Sequence, residues 1–152
     1  MTTPLEAIEG LWLAQAMRHS LWLYPTVETL HLWGIGLLFG SVVLMDLRVL
    51  GLTKEIDFAS LSRFAVPLSI TGFCLAMITG LLMFTTHASE FVGMRLFVIK
   101  MILITLLLTN AIALRAQSVA NGEHSGFVKL QALISIIGWA SVIGAGRWLA
   151  YT

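Results

Sequence analysis

Charge is what this chain has least of. Its 152 residues include nine Lys or Arg and eight Asp or Glu, 11% in all, where an ordinary soluble domain carries about 25%. That scarcity excludes a fully hydrated globular surface. Cysteine occurs once, at Cys74, so no intramolecular disulfide and no Cys-built zinc or iron–sulfur site can form. Inside an apolar run it reads as a small buried hydrophobe. No basic block with interleaved aromatics is present, and a net charge of +1 gives no reason to expect a nucleic-acid partner. A basic n-region is missing too. Glu6 and Glu9 stand in its place, so no cleavable signal peptide is expected. Internal repeats and low-complexity tracts are absent.

What fills the chain instead is apolar: 58% of residues are hydrophobic and the mean hydropathy is +0.91. This is the composition of an integral membrane protein. The length accommodates one all-α domain, a four-helix membrane bundle with spans of about 20 residues each. Hydropathy places the spans at 25–47, 64–84, 94–114 and 127–151. Residues 4–19 are too polar to cross a bilayer. Leu5, Ile8, Leu11, Trp12 and Gln15 recur there at helical spacing, which predicts an interfacial amphipathic helix with Trp12 at headgroup depth. Trp22, Tyr24 and Pro25 mark the membrane boundary and the start of the first span. Asp57 and Ser60 are candidate helix caps in the loop after it, and Asn121-Gly122 signals a turn between the last two spans.

With four spans, Arg18, Arg95 and Arg147 fall on one side of the membrane. Arg48, Lys54, Arg63, Arg115 and Lys129 fall on the other. Five against three places the first and third loops in the cytoplasm and both termini on the periplasmic side. The same topology brings Glu28, His31, His87, Lys100 and Arg147, contributed by all four spans and their loops, to one level near the outer surface.

Glu28 and His31 are three residues apart, on nearly the same face of the first span. Ionisable groups at such depth are costly and rarely stand without a partner, ion or cofactor. Each of the five also has a plainer account. Lys100 can snorkel to the interface, Arg147 can anchor there beside Trp148 and Tyr151, and His87 can be solvated in its loop. Glu28 can pair locally with Arg18 or His19. His31, flanked by Leu30, Leu32 and Trp33, is the hardest to explain away.

Gly34, Ile35, Leu38, Val42 and Met45 continue the His31 stripe. Gly34 removes a side chain where a flat ligand would pass, and the apolar residues beyond it would wall a dry slot. That pattern suits haem b, with an imidazole on the iron and Lys100 or Arg147 meeting the propionates. Glu28 would take the other imidazole N–H. His87, or failing it His19, is the candidate second iron ligand; otherwise the iron is five-coordinate or shared by His31 of two protomers. Gly36 and Gly40 form a small-xxx-small pattern expected to pack closely within the bundle or in a dimer. Glu28-x-x-His31 is also half of a di-iron motif, but the spans supply no second half. At the other end, Asp46, Arg48, Arg63, Asn110 and Arg115 read as an interfacial ring with one Asp–Arg pairing, Asn110 donating an interhelical hydrogen bond.

The stretches ETLHLWGIGLLFGSVVLMDLRVLGL, TGLLMF and RLFVIKMILITLLLTNA resemble a family of small bacterial four-span membrane proteins. More distantly they are similar to the HemJ-type protoporphyrinogen oxidases and the CopD-like copper-resistance membrane domain. The matching positions are His31, Arg48 and Lys100, with Pro67 and Gly80 in the second span. The resemblance implies haem b at His31 and a functional role for Lys100. The third span ends TNAIALR without a histidine, and the last segment reads GRWLAY where HemJ-type chains carry NE-x-P. These departures favour the scaffold and cofactor over porphyrinogen oxidation.

The leading expectation is a small b-type cytochrome in the bacterial inner membrane. It would pass electrons between membrane quinol and an outer-side acceptor, or anchor a redox partner protein, with lipid around it and a homo-oligomer as one option. The competing expectation is a CopD-like metal-handling transporter using His31, Glu28 and Met45 or Met83. A HemJ-type oxidase and a purely structural subunit are the remaining alternatives.

Overall fold

The computed structural model describes residues 3–52, 54–121 and 126–149; for 118–121 and 149 only the backbone is described. It contains seven helices and no strand among those residues. Four are long and apolar enough to cross a membrane: α3 (Leu23–Leu50), α4 (Phe58–Thr86), α6 (Arg95–Asn121) and α7 (Gly126–Leu149). Three short helices, α1 (Pro4–Glu9), α2 (Trp12–His19) and α5 (Ala88–Gly93), gather at one end of the bundle. That end is called the capped side below.

The expected amphipathic helix over 4–19 is two helices. Thr3 and Glu6 close a reciprocal capping box at the start of α1, with Thr3 N–H donating to Glu6 Oε2 at 2.8 Å. Gly10 ends that helix after little more than one turn. α2 packs on α4 and buries Ala14 and Met17 rather than the expected stripe, leaving Leu11 and Trp12 exposed.

The spans run longer than hydropathy alone indicates. Pro25 falls in the first turn of α3, where its missing N–H costs nothing. At its other end α3 continues to Leu50 and stops at Gly51, whose φ of 91° lies in the left-handed region. Leu52 N–H then bonds Leu47 O at 3.1 Å and Gly51 N–H bonds Arg48 O at 3.1 Å, which closes a Schellman cap. α4 starts at Phe58 because the Asp57 carboxylate accepts Ser60 N–H at 2.8 Å. α6 runs through Asn121; the rest of the turn expected at Asn121-Gly122, and the Tyr151 end of the fourth span, lie outside the described residues.

α3 and α4 form the tightest pair. A Cβ on Gly72 would stand 2.5 Å from Leu38 N and 2.8 Å from Gly34 O, and one on Gly34 would meet Ala76 N at 2.7 Å. The two backbones therefore touch at Gly34 and Gly72. Gly36 and Gly40 face open space and take no part in packing within the bundle. α7 packs on the other flank of α3, and α6 packs on α7 with Leu107 over Gly138. The order across the bundle is α4, α3, α7, α6. The α4 and α6 backbones do not approach closely, and their side chains meet near the two ends. Phe84 stacks on Phe97 with centroids 5.5 Å apart on the capped side, and Arg115 Nη1 donates to Ser62 Oγ at 2.6 Å on the opposite side. Between those ties, Leu38, Leu107, Trp139 and Val142 form the central core, with Phe73 packed against it.

Two expectations about single residues change. Cys74 is exposed on the outer surface of α4 rather than buried in the core. Asp46 is not part of an interfacial ring: α3 extends a further turn past it, and it is buried without an arginine partner among the described residues. Arg48 Nε donates instead to Ile56 O at 2.5 Å. Asn110 does bridge helices, its Nδ2 donating to Gln131 O at 3.2 Å.

Candidate functional site

His31 lies two turns into α3, half-buried against α4. Its Nδ1 is 2.9 Å from the hydroxyl of buried Thr79. Thr79 has a single hydroxyl proton, and its helix already claims it: Oγ1 is 2.6 Å from Leu75 O and 3.2 Å from Ala76 O. The neutral imidazole that fits this network has its hydrogen on Nδ1, donating to Thr79 Oγ1 and leaving the Nε2 lone pair available. Gly80 lets the ring lie flat on α4, since a Cβ there would stand 3.1 Å from His31 Cε1 and 3.6 Å from Nδ1.

Lys100, one turn into α6, is half-buried with its ammonium over α7. A Cβ on Gly146 would meet Lys100 Nζ at 3.2 Å. The charges of Lys100 and Glu28 both act on the His31 imidazole. Glu28 itself is exposed on the same stripe of α3, and half-buried Tyr24 stands one turn beyond it, within its field. Arg147 follows Gly146 directly and is exposed near the end of α7. All four spans thus contribute to one level: His31 and Glu28, then Thr79 and Gly80, then Lys100, then Gly146 with Arg147.

Two residues expected at this site stand elsewhere. Gly34 opens no slot, because α4 backbone at Gly72 and Ala76 fills the space beside it. His87 sits eight residues past Thr79, about 12 Å further along α4 by helical rise, and belongs to the cap. Its Nδ1 is 3.0 Å from Thr86 Oγ1, and its charge acts on Glu9 of α1. The Glu9 carboxylate accepts Ser89 N–H at 2.7 Å and Ser89 O–H at 2.6 Å, while Arg18 donates to the Glu9 carbonyl. Those Ser89 donors, followed by the charges of Arg18 and His87, hold the Glu9 carboxyl below the usual glutamate range. His19 is exposed at the end of α2.

Sequence reasoning did not place Thr79, Tyr24 or Gly146 at the site. The signal for Thr79 was its depth: in an antiparallel pair, the Thr-Gly step in the second span falls level with His31 in the first. Among the described residues no three His, Cys, Asp or Glu gather as a metal-ligand set. An apolar groove of about 430 Å³ lies on the outer surface of α5 and α6, lined by Val92, Phe97 and Met101 among others, and carries no ionisable group. No family model, curated protein or solved structure matches the chain.

Proposed function

We propose that the chain is a haem b-binding membrane redox protein, a small b-type cytochrome that exchanges single electrons between membrane quinol and an acceptor at the capped side. The observation that carries this reading is the 2.9 Å contact between His31 Nδ1 and a Thr79 hydroxyl whose own proton is taken up within α4. Metal-ligating histidines characteristically donate their other ring N–H to an oxygen acceptor, and Thr79 is that acceptor here. Nε2 would then hold the iron, and Lys100 with Arg147 would meet the anionic propionates at the same level. Haem supplies the one-electron iron couple when bound. The chain orients the imidazole, keeps the ring against an apolar helix pair and provides the compensating cations.

The residues fit that group in part. One imidazole and one half-buried ammonium suit it, whereas Gly34 contributes no space and His87 faces the cap. In this reading His31 would be the one ligand that this chain supplies, and any further ligand would come from another molecule or a second copy. Glu28 acts on the imidazole through its charge, since the N–H it was expected to accept goes to Thr79. In this reading the protein resides in the bacterial inner membrane with its capped side and both termini periplasmic, as the distribution of basic residues favours.

The test is the visible spectrum of the full chain purified after haem-supplemented expression. A Soret band in the parent protein that is lost or shifted in His31→Ala is the expected result. Absence of the band, or an identical band in His31→Ala, would overturn the reading. Metal-dependent uptake by vesicles without haem, abolished in His31→Ala, would favour the metal-handling alternative instead.

A further inference from the structure

The opposite half of the bundle holds a second polar site that the haem reading does not use. Asp46 of α3 is 1% exposed, and its Oδ2 has no hydrogen-bond partner. On α7, Gln131, Ser135 and Trp139 occupy successive turns of one face and are 8%, 1% and 4% exposed. Gln131 Oε1, Ser135 Oγ and Trp139 Nε1 are likewise buried and unpartnered. Ser135 is the side chain that acts on the Asp46 carboxylate, although their atoms stop short of a closed hydrogen bond. Asn110 of α6 fixes the position of Gln131 through its backbone carbonyl.

Four buried polar atoms without partners on two facing helices are unusual, because each forfeits its hydration for nothing. An ionised carboxylate there also needs a counter-charge, and the basic groups of this half are directed elsewhere. Arg48 of α3 donates to Ile56 O. Lys54, exposed in the loop after α3, lies over Gly51, Arg63 of α4 is exposed beside Ser60, Arg115 of α6 binds Ser62, and Lys129 of α7 is exposed. A buried carboxyl in that position becomes neutral by taking a proton or by holding a cation. Trp139 favours the proton, since its indole can only donate and would repel a cation that the carboxylate attracts.

We infer that Asp46 is a proton-binding site within the membrane, with Ser135 and Gln131 as its hydrogen-bond partners. Protonation by hydronium converts the carboxylate to a carboxyl and releases one water; deprotonation reverses the step. The carboxyl then donates to Ser135 Oγ or Gln131 Oε1, and the Ser135 hydroxyl and Trp139 N–H gain an acceptor through small side-chain rotations. Gln131 lies one turn nearer the opposite face, so exchange occurs with that side.

Infrared difference spectroscopy on the full chain in lipid vesicles, cycled in pH in sodium- and potassium-free buffer, reads the site directly. The C=O stretch of a protonated carboxyl should appear and disappear with pH, be missing in Asp46→Asn, and shift in frequency in Ser135→Ala. A difference between parent and Asp46→Asn that contains no protonated carboxyl at any pH would overturn the inference. Loss of the band on adding Na⁺ or K⁺ at fixed pH would also overturn it, in favour of a cation site. Should Asp46→Asn not fold, a band unmoved in both Ser135→Ala and Gln131→Leu would be decisive against this cluster.

Discussion

The Thr79 hydroxyl has one proton and three neighbours able to take it, and that shortage decides how His31 presents itself. With Leu75 O at 2.6 Å, the proton stays within α4 and the imidazole must donate. Thr79→Val keeps the shape of the side chain and removes the acceptor. Under the haem reading, affinity should fall by about 10–100-fold, the usual cost of losing such a partner, while the fold is unchanged. Titration of haem into the purified variant, followed at the Soret band, measures it; equal affinity in parent and variant would separate Thr79 from ligation. His31 and Lys100 were legible in the sequence because ionisable groups in apolar helices are expensive. Thr79 was not, because a threonine that bonds its own helix looks satisfied. Asp46 misled for another reason. Followed two residues later by Arg48, it resembles a span end, and only the left-handed Gly51 shows that the helix goes on.

Helix pairs show a similar division between what composition reveals and what it hides. Four apolar runs gave four spans, and Asp57 as a cap was readable from its place before Phe58. Which glycines touch a neighbour was not readable, since between His31 and Asp46 α3 carries no charged residue to orient it. Gly36 and Gly40 carry the familiar spacing, yet Gly34 and Gly72 make the contact. The obstacle at Gly72 is backbone, which cannot rotate aside. Gly72→Val should therefore destabilise the protein by about 1–3 kcal/mol or more through overpacking. Gly36→Ala and Gly40→Ala should be neutral or slightly stabilising, since alanine favours helix by about 1 kcal/mol over glycine. Thermal unfolding in a mild detergent compares the three; a Gly72→Val protein as stable as its parent would contradict the close crossing.

At the scale of the whole molecule, the cap ties the N-terminal helices to α5. Glu9 and Ser89 are eighty residues apart in sequence and joined by two short hydrogen bonds. Because the folded Glu9 carboxyl is held below its ordinary range, its contribution to the clasp is complete above that range. It is lost as pH falls through the lowered value. A spin-label pair on α1 and α5 should report a constant separation at neutral pH and a longer one in acid. Glu9→Gln should make the separation independent of pH across that window. A parent protein whose separation never responds to acid would show that Glu9 is not what holds the cap.

The succession α4, α3, α7, α6 gives the bundle a seam. Parting α3 from α4 means pulling apart backbones that touch at Gly34 and Gly72. Parting α4 from α6 near their ends means breaking one Arg115–Ser62 hydrogen bond and one Phe84–Phe97 stack. The four rods are thus less like a closed barrel than a folded screen, with a latch at each end of its free edge and its cheapest motion already chosen by where the glycines fell.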